Sequence, residues 1–166
     1  FITNDSSFLI LRVKPFVFKY SCVWCIFICI INCFMKIEHI GIAVKDIAAS
    51  NEIFSALLGV KPYKEERVES ENVITSFFQV GDSKIELVQA TSPDSAIAKF
   101  LEKNKEGMHH IAFEVQDIYA EIERLKSKGF TMIHEAPKEG ADNKLIAFLH
   151  PKSSNSVLVE LCQERV

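Results

Sequence analysis

Little in this sequence marks a nucleic-acid binder, a disulfide-stapled scaffold or a phosphate-loop enzyme. Basic charge is not in excess: the formal net charge is -3, whereas a nucleic-acid partner wants a basic face. No Gly-rich phosphate loop, Ser-centred nucleophile elbow or redox C-x-x-C occurs beyond residue 34. Cysteine is almost missing there too. Cys162 stands alone, which fits a reducing, cytosolic setting. Apolar residues are not scarce. They make up 48% of the chain, too many for a disordered polymer. The 166 residues suffice for one domain or two small modules sharing a core.

The composition breaks at Met35. Residues 1–34 are about two-thirds apolar and hold Cys22, Cys25, Cys29 and Cys33, as well as Trp24. Tyr20–Phe34 is an uncharged run of 15 residues. It is short of the ~20 that a spanning helix needs, and no small-x-small cleavage site follows it. Cys22 and Cys25 form a C-x-x-C, but no second Cys or His pair follows at finger spacing. The simplest expectation is a non-native or disordered upstream extension over 1–34, with translation starting at Met35, and no membrane association.

Residues 35–166 contain an internal repeat, the feature to seek first. His39-Ile40-Gly41-Ile42-Ala43-Val44-Lys45-Asp46-Ile47 lies over His110-Ile111-Ala112-Phe113-Glu114-Val115-Gln116-Asp117-Ile118, at an offset of 71. Each copy reads as an apolar strand, an Asp helix cap, an amphipathic helix and a terminal glycine, Gly59 or Gly129. Three strand-like runs then follow in each copy. The first set is 60–68, 73–80 and 83–90, with Gly81-Asp82 as a hairpin turn; the second is 130–135, 144–150 and 156–162. The spacing predicts an α+β fold of two paired βαβββ modules. Module 1 covers about 35–91, a linker helix about 94–105, capped by Ser92 or Asp94, and module 2 about 107–163.

Two similar modules packed side by side carry equivalent residues towards a pseudo-twofold axis. His39 and His110 lie on the first strand of each copy, and Glu86 and Glu160 on the last. A carboxylate among apolar strand residues is costly unless paired or bound to a metal. Two imidazoles and two carboxylates make a four-ligand set for one divalent ion. His109, next to His110, is expected on the opposite face of its strand, and His134 in solvent.

The paired modules, with His on the first strand and Glu on the last, resemble the vicinal oxygen chelate superfamily, which includes glyoxalase I and the bleomycin resistance proteins. Several stretches look specifically like its methylmalonyl-CoA epimerases: Glu38-His39-Ile40-Gly41-Ile42-Ala43-Val44, Gly107-Met108-His109-His110-Ile111-Ala112-Phe113, Phe148-Leu149-His150-Pro151-Lys152-Ser153 and Val157-Leu158-Val159-Glu160-Leu161. The likeness runs from Met35 to the end.

By this resemblance His39, Glu86, His110 and Glu160 are the metal ligands, and the ion is Co²⁺, with Mn²⁺, Ni²⁺ or Zn²⁺ also suited to such ligands. The implied reaction interconverts (R)- and (S)-methylmalonyl-CoA by removing and returning the α-proton through a metal-stabilised enolate. Glu160 is the expected catalytic base. Lys144, His150 and Lys152 are candidates for holding the CoA thioester. Some family members carry a second acid/base Glu where Thr75 stands, so Glu69, Glu71 or a water would have to serve. A cytoplasmic homodimer is expected. Two rivals stay open, a glyoxalase I-like lyase and a metal-free module that binds a small drug.

Overall fold

In a computed structural model of the chain, residues 35–165 are described; the expectation for 1–34 lies outside them. Among the described residues, eight strands and three α-helices run as two βαβββ units joined by a helix. β1 (Lys36–Val44), α1 (Ile47–Leu58), β2 (Lys64–Val68), β3 (Val73–Val80) and β4 (Ser83–Ala90) form the first module. The linker α2 (Ala96–Lys103) leads to β5 (Gly107–Glu114), α3 (Ile118–Ser127), β6 (Lys138–Glu139), β7 (Lys144–Leu149) and β8 (Val159–Glu164).

Local chemistry sets the boundaries. Asp46 and Asp117 accept hydrogen bonds from Ala49 N and from Tyr119 and Ala120 N, satisfying amide groups that the first helical turn leaves free. Gly59 ends α1 at φ 71, a left-handed conformation that glycine enters without steric cost. The linker helix is capped by Ser95 rather than Ser92 or Asp94: its Oγ accepts from Ile97 N and Ala98 N.

The strands make one sheet in the order β2-β3-β4-β1-β5-β8-β7-β6. Its centre is the antiparallel β1–β5 pair. On either side the pattern repeats, with β4 parallel to β1 and β8 parallel to β5. Glu86 lies between Gly41 and Phe77, and Glu160 between Ala112 and Phe148. The repeat is therefore structural, and its pseudo-twofold axis passes between β1 and β5.

α1 and α3 each cover their own module. Ile47, Phe54 and Leu58 of α1 pack on Val44, Phe78 and Leu87. Ile118, Ile122 and Leu125 of α3 pack on Ala147, Leu149 and Leu161. Full burial of a side chain such as Ile118, Ile122 or Leu125 stabilises the fold by about 1.5–3 kcal/mol. α1 and α3 thus take one face of the sheet; the other faces the candidate site, where Ile97 of α2 packs beside Val68, Val73 and Val88.

One anticipated strand does not form. Residues 130–135 make a single bridge, Met132 to Leu149, and the short ladder comes later at Lys138–Glu139. Phe130 and Met132 still pack against the α3 core, which accounts for their strand-like pattern. Pro137 has no N–H to offer a ladder. The last strand also starts later than expected, at Val159, because Asn155 and Ser156 turn through positive φ.

Candidate metal centre and cavity

The four residues singled out by the repeat converge. His39, Glu86, His110 and Glu160 are all buried, between 4% and 6% exposed. The two imidazole Nε2 atoms are 2.9 Å apart. Glu86 Oε2 lies 3.3 Å from His39 Nε2 and 3.4 Å from His110 Nε2. Glu160 Oε2 lies 3.5 Å from His110 Nε2. Glu160 is the second residue of β8 rather than mid-strand.

This donor set fits a divalent metal ion. Nitrogen and oxygen ligands at ~2.1 Å from an octahedral ion stand ~3.0 Å apart along each edge, close to the 2.9–3.4 Å separations among His39, His110 and Glu86. Two imidazoles and two carboxylates suit the later first-row metals. His39, Glu86 and His110 form a group whose ligand atoms all lie within 4.8 Å of one another.

The electrostatics of the cluster are tightly coupled. Burial favours the neutral form of His39, but the Glu86 charge and the Glu38 hydrogen bond outweigh it and raise its pKa to about 10. Burial likewise opposes ionisation of Glu86, yet the neighbouring His39 and His110 hold its carboxyl well below the ordinary range. Glu160 shifts the other way. Burial raises it, and the pull of His110 only partly compensates.

Two residues beside the ligand histidines escaped the sequence-based expectation. Glu38 is 5% exposed, and its Oε2 lies 2.6 Å from His39 Nδ1. Its other oxygen holds Lys84 Nζ at 2.5 Å, with Lys144 Nζ at 3.4 Å. Burial opposes the Glu38 charge, but the hydrogen bonds from His39 and Lys84 bring its pKa down to about 2. Lys84 also pairs with Asp142, which reaches Lys64 in turn, so a chain of charges crosses from β1 through β4 to the loop before β7. His109 does not face away as strand alternation predicts. It lines the cavity beside His110, and the two Nδ1 atoms are 3.0 Å apart. Burial, then the neighbouring His110, push its pKa down to about 4.

A cavity of about 240 Å³ opens onto these residues. Its remaining wall is largely apolar, with Val68, Val73, Phe77, Ile97 and Phe148 among the lining side chains. Thr75 is buried and also lines it, its Oγ1 donating to Glu66 O at 3.4 Å. Glu71 reaches the cavity and pairs with Lys138 Nζ at 2.6 Å. Glu69 is exposed and tied to Arg67.

The three candidate substrate-holding residues are placed differently from one another. Lys144 lines the cavity, but its ammonium is engaged by Glu164 at 2.7 Å and lies 3.4 Å from Glu38. His150 spends Nδ1 on the Lys152 amide, capping a short 3₁₀ turn, and Lys152 is exposed. Neither belongs to the cavity wall. His134 is exposed at the cavity's edge. Among the described residues no helix is long and apolar enough to cross a membrane.

Comparison with known proteins follows the same lines. Residues 38–148 match the Glyoxalase/Bleomycin resistance protein/Dioxygenase superfamily. The chain is 38% identical to an uncharacterized protein of Bacillus subtilis, over 78% of this chain and 93% of that one. It is 39% identical to the mitochondrial methylmalonyl-CoA epimerase of Homo sapiens, over 77% of this chain and 73% of that protein. Among solved structures, the Streptomyces coelicolor methylmalonyl-CoA epimerase in complex with 2-nitronate-propionyl-CoA superimposes with a TM-score of 0.75. The identity is 34%, covering 81% of this chain and 97% of that one.

Proposed function

We propose a function on the following premise: the chain belongs to the Glyoxalase/Bleomycin resistance protein/Dioxygenase superfamily and, within it, to the methylmalonyl-CoA epimerases. The proposed activity is interconversion of (R)- and (S)-methylmalonyl-CoA, dependent on one divalent metal ion per chain. The observation that carries the metal is the convergence of His39, Glu86, His110 and Glu160 on the wall of a largely apolar cavity. Co²⁺ is the favoured ion on the resemblance, and Mn²⁺, Ni²⁺ and Zn²⁺ suit the same donors.

The α-carbon of the substrate stands between a thioester and a carboxylate, and inversion needs a proton removed from one face and one returned to the other. A bound divalent ion would supply Lewis-acid stabilisation of the negative charge that develops on the thioester oxygen. His39, Glu86, His110 and Glu160 would hold it. Glu160 is the proposed base: its buried carboxylate lines the cavity beside the converging histidines, and a base must sit within hydrogen-bond reach of the proton it takes. Glu71 is the proposed second proton-transfer group: of the two glutamates considered for that place, it alone lines the cavity. Lys138 pairs with its carboxylate at 2.6 Å and would position it at the cavity wall. Apolar walls exclude water and strengthen every charge interaction inside.

Lys144, on the cavity wall with its ammonium engaged by Glu164, remains a proposal for a contact with the substrate. His150 and Lys152 remain proposals for contacts with the CoA tail outside the cavity. A homodimer in the cytoplasm is the proposed state, and residues 35–166 are proposed to carry the full activity. The deciding experiment is an epimerisation assay on Co²⁺-loaded protein, with loss of α-deuterium from labelled methylmalonyl-CoA as readout. Lactoylglutathione formation from methylglyoxal and glutathione, measured beside it, should be absent. Lactoylglutathione without α-exchange would mean a glyoxalase I-like lyase.

A further inference from the structure

The central β1–β5 ladder is irregular at two places. Ile37 pairs with Phe113 and His39 with Ala112, so Glu38 is an extra residue on β1. Gly41 pairs with His110 and Ile42 with Met108, so His109 is an extra residue on β5. A bulge leaves its extra residue out of the ladder and re-aims the side chain. Both extra residues immediately precede a ligand histidine. Both then place a polar atom on that histidine's Nδ1: Glu38 Oε2 at 2.6 Å from His39, and His109 Nδ1 at 3.0 Å from His110. Regular alternation would send each to the opposite face.

We propose that Glu38 and His109 are a matched pair of positioning residues, one per module, holding His39 and His110 with hydrogen on Nδ1 and both Nε2 lone pairs turned inward. The inference rests on the two histidines being ligands and extends that reading. An imidazole whose Nδ1–H is donated to an acceptor presents Nε2 as the ligating atom, and its ring orientation is fixed at the same time. Glu38 is itself held, because Lys84 grips its second oxygen. His109 accepts through Nδ1, and its ring stands edge-on to Phe100 at 4.9 Å between centroids. The module repeat therefore reproduces the support of each ligand along with the ligand, using a carboxylate in one half and an imidazole in the other.

The test is the affinity of the full chain for Co²⁺, measured by competition with a chromogenic chelator, in His109→Leu, His109→Asn, Glu38→Ala and Glu38→Gln. Loss of an outer-shell partner typically weakens metal binding about 10–100-fold, and this is the expected effect of His109→Leu and Glu38→Ala. His109→Asn puts an amide oxygen close to the missing Nδ1, and Glu38→Gln keeps an acceptor oxygen, so both should recover most of the loss. A structural role alone would not separate Leu from Asn. A second readout is the His110 Nδ1–H proton resonance of the Zn²⁺-loaded protein, slow to exchange in wild type and in His109→Asn, fast in His109→Leu. Should Glu38→Ala fail to fold, the His109 pair decides alone. Wild-type affinity in His109→Leu, or equal losses in Leu and Asn, overturns the inference while leaving His39 and His110 as ligands. A wild type that binds no Co²⁺, or a His39→Ala variant that binds it fully, overturns the ligand reading itself.

Discussion

Gly41 and His110 face each other across the β1–β5 ladder, and the imidazole of His110 lies so close over Gly41 that a β-carbon there would sit 2.0 Å from Cε1. Glu86 is the partner of Gly41 on its other side. One missing side chain thus makes room for the ring of a proposed ligand at the centre of the sheet. At the equivalent position of the second module Ala112 stands, completely buried.

Gly41→Ala should therefore act on the metal centre before it acts on the fold. The added methyl must displace the ring, and overpacking of this kind typically costs about 1–3 kcal/mol. The expected outcome is a folded protein whose Co²⁺ affinity falls at least ~10-fold, the scale on which disturbed ligand support acts. Thermal denaturation with and without Co²⁺ checks both parts. A wild-type shift in melting temperature on adding Co²⁺ would mean that His110 is not held as described.

The charge state of the cluster predicts how metal binding and stability follow pH. His39 has its pKa raised from 6.5 to about 10, so in the metal-free protein its contribution to stability is complete below pH 6.5 and disappears as pH rises through 10. Glu38 is lowered from 4.5 to about 2, so its contribution is present above pH 4.5 and disappears as pH falls through 2. The metal-free protein should be most stable between these limits. An ion needs the neutral imidazole, so binding near neutral pH must expel the His39 proton. Titration calorimetry in buffers of different ionisation enthalpy should show about one proton released from this group, and affinity should rise with pH. Binding without proton release would contradict the His39 assignment.

The same reasoning separates what the sequence revealed from what it hid. The matched His-Ile…Val…Asp-Ile runs located both histidines, both Asp caps and the two halves of the sheet, because a repeat encodes its own symmetry. Glu38 and His109 were hidden because a bulge is a property of two strands together. Nothing within either strand announces that one residue will drop out of register. The stretch around Phe130 misled for a related reason: Phe130 and Met132 are apolar because they pack against the α3 core, and their pairing stops at the single Met132–Leu149 bridge. Lys144 reads as an open cation in sequence, yet its ammonium is held by Glu164 and Glu38, residues from two other strands.

Lys84→Met tests the charge chain that supports the site. The Lys84 side chain is 16% exposed and links Glu38 to Asp142. Removing one partner of a buried ion pair strands the other, at a cost of about 3–5 kcal/mol. The low end is expected here, about 3 kcal/mol, because Lys144 stays within 3.4 Å of Glu38. Urea denaturation of the metal-free protein measures it. A loss below ~1 kcal/mol, the range of exposed pairs, would show that the chain behaves as a surface feature.

Glu160→Gln separates two roles that the geometry leaves superimposed. As a ligand alone, Glu160 can be exchanged for an amide oxygen with weaker metal binding and substantial activity once the site is saturated. As the base, its loss removes the proton-transfer step even in a filled site, because an amide does not take up the proton. The expected outcome, at saturating Co²⁺ and substrate, is a fall in kcat of at least ~10²-fold, the low end of what general acid–base catalysis contributes, with KM little changed. Glu71→Gln serves as the second arm. If Glu71 delivers a proton on the opposite face, that variant should keep α-hydrogen exchange with solvent for the enantiomer whose proton faces Glu160 while losing inversion, and Glu160→Gln should lose exchange for that same enantiomer. Normal exchange of both enantiomers in Glu160→Gln would leave it as a ligand only and move the base to Glu71 or to a water beside Thr75.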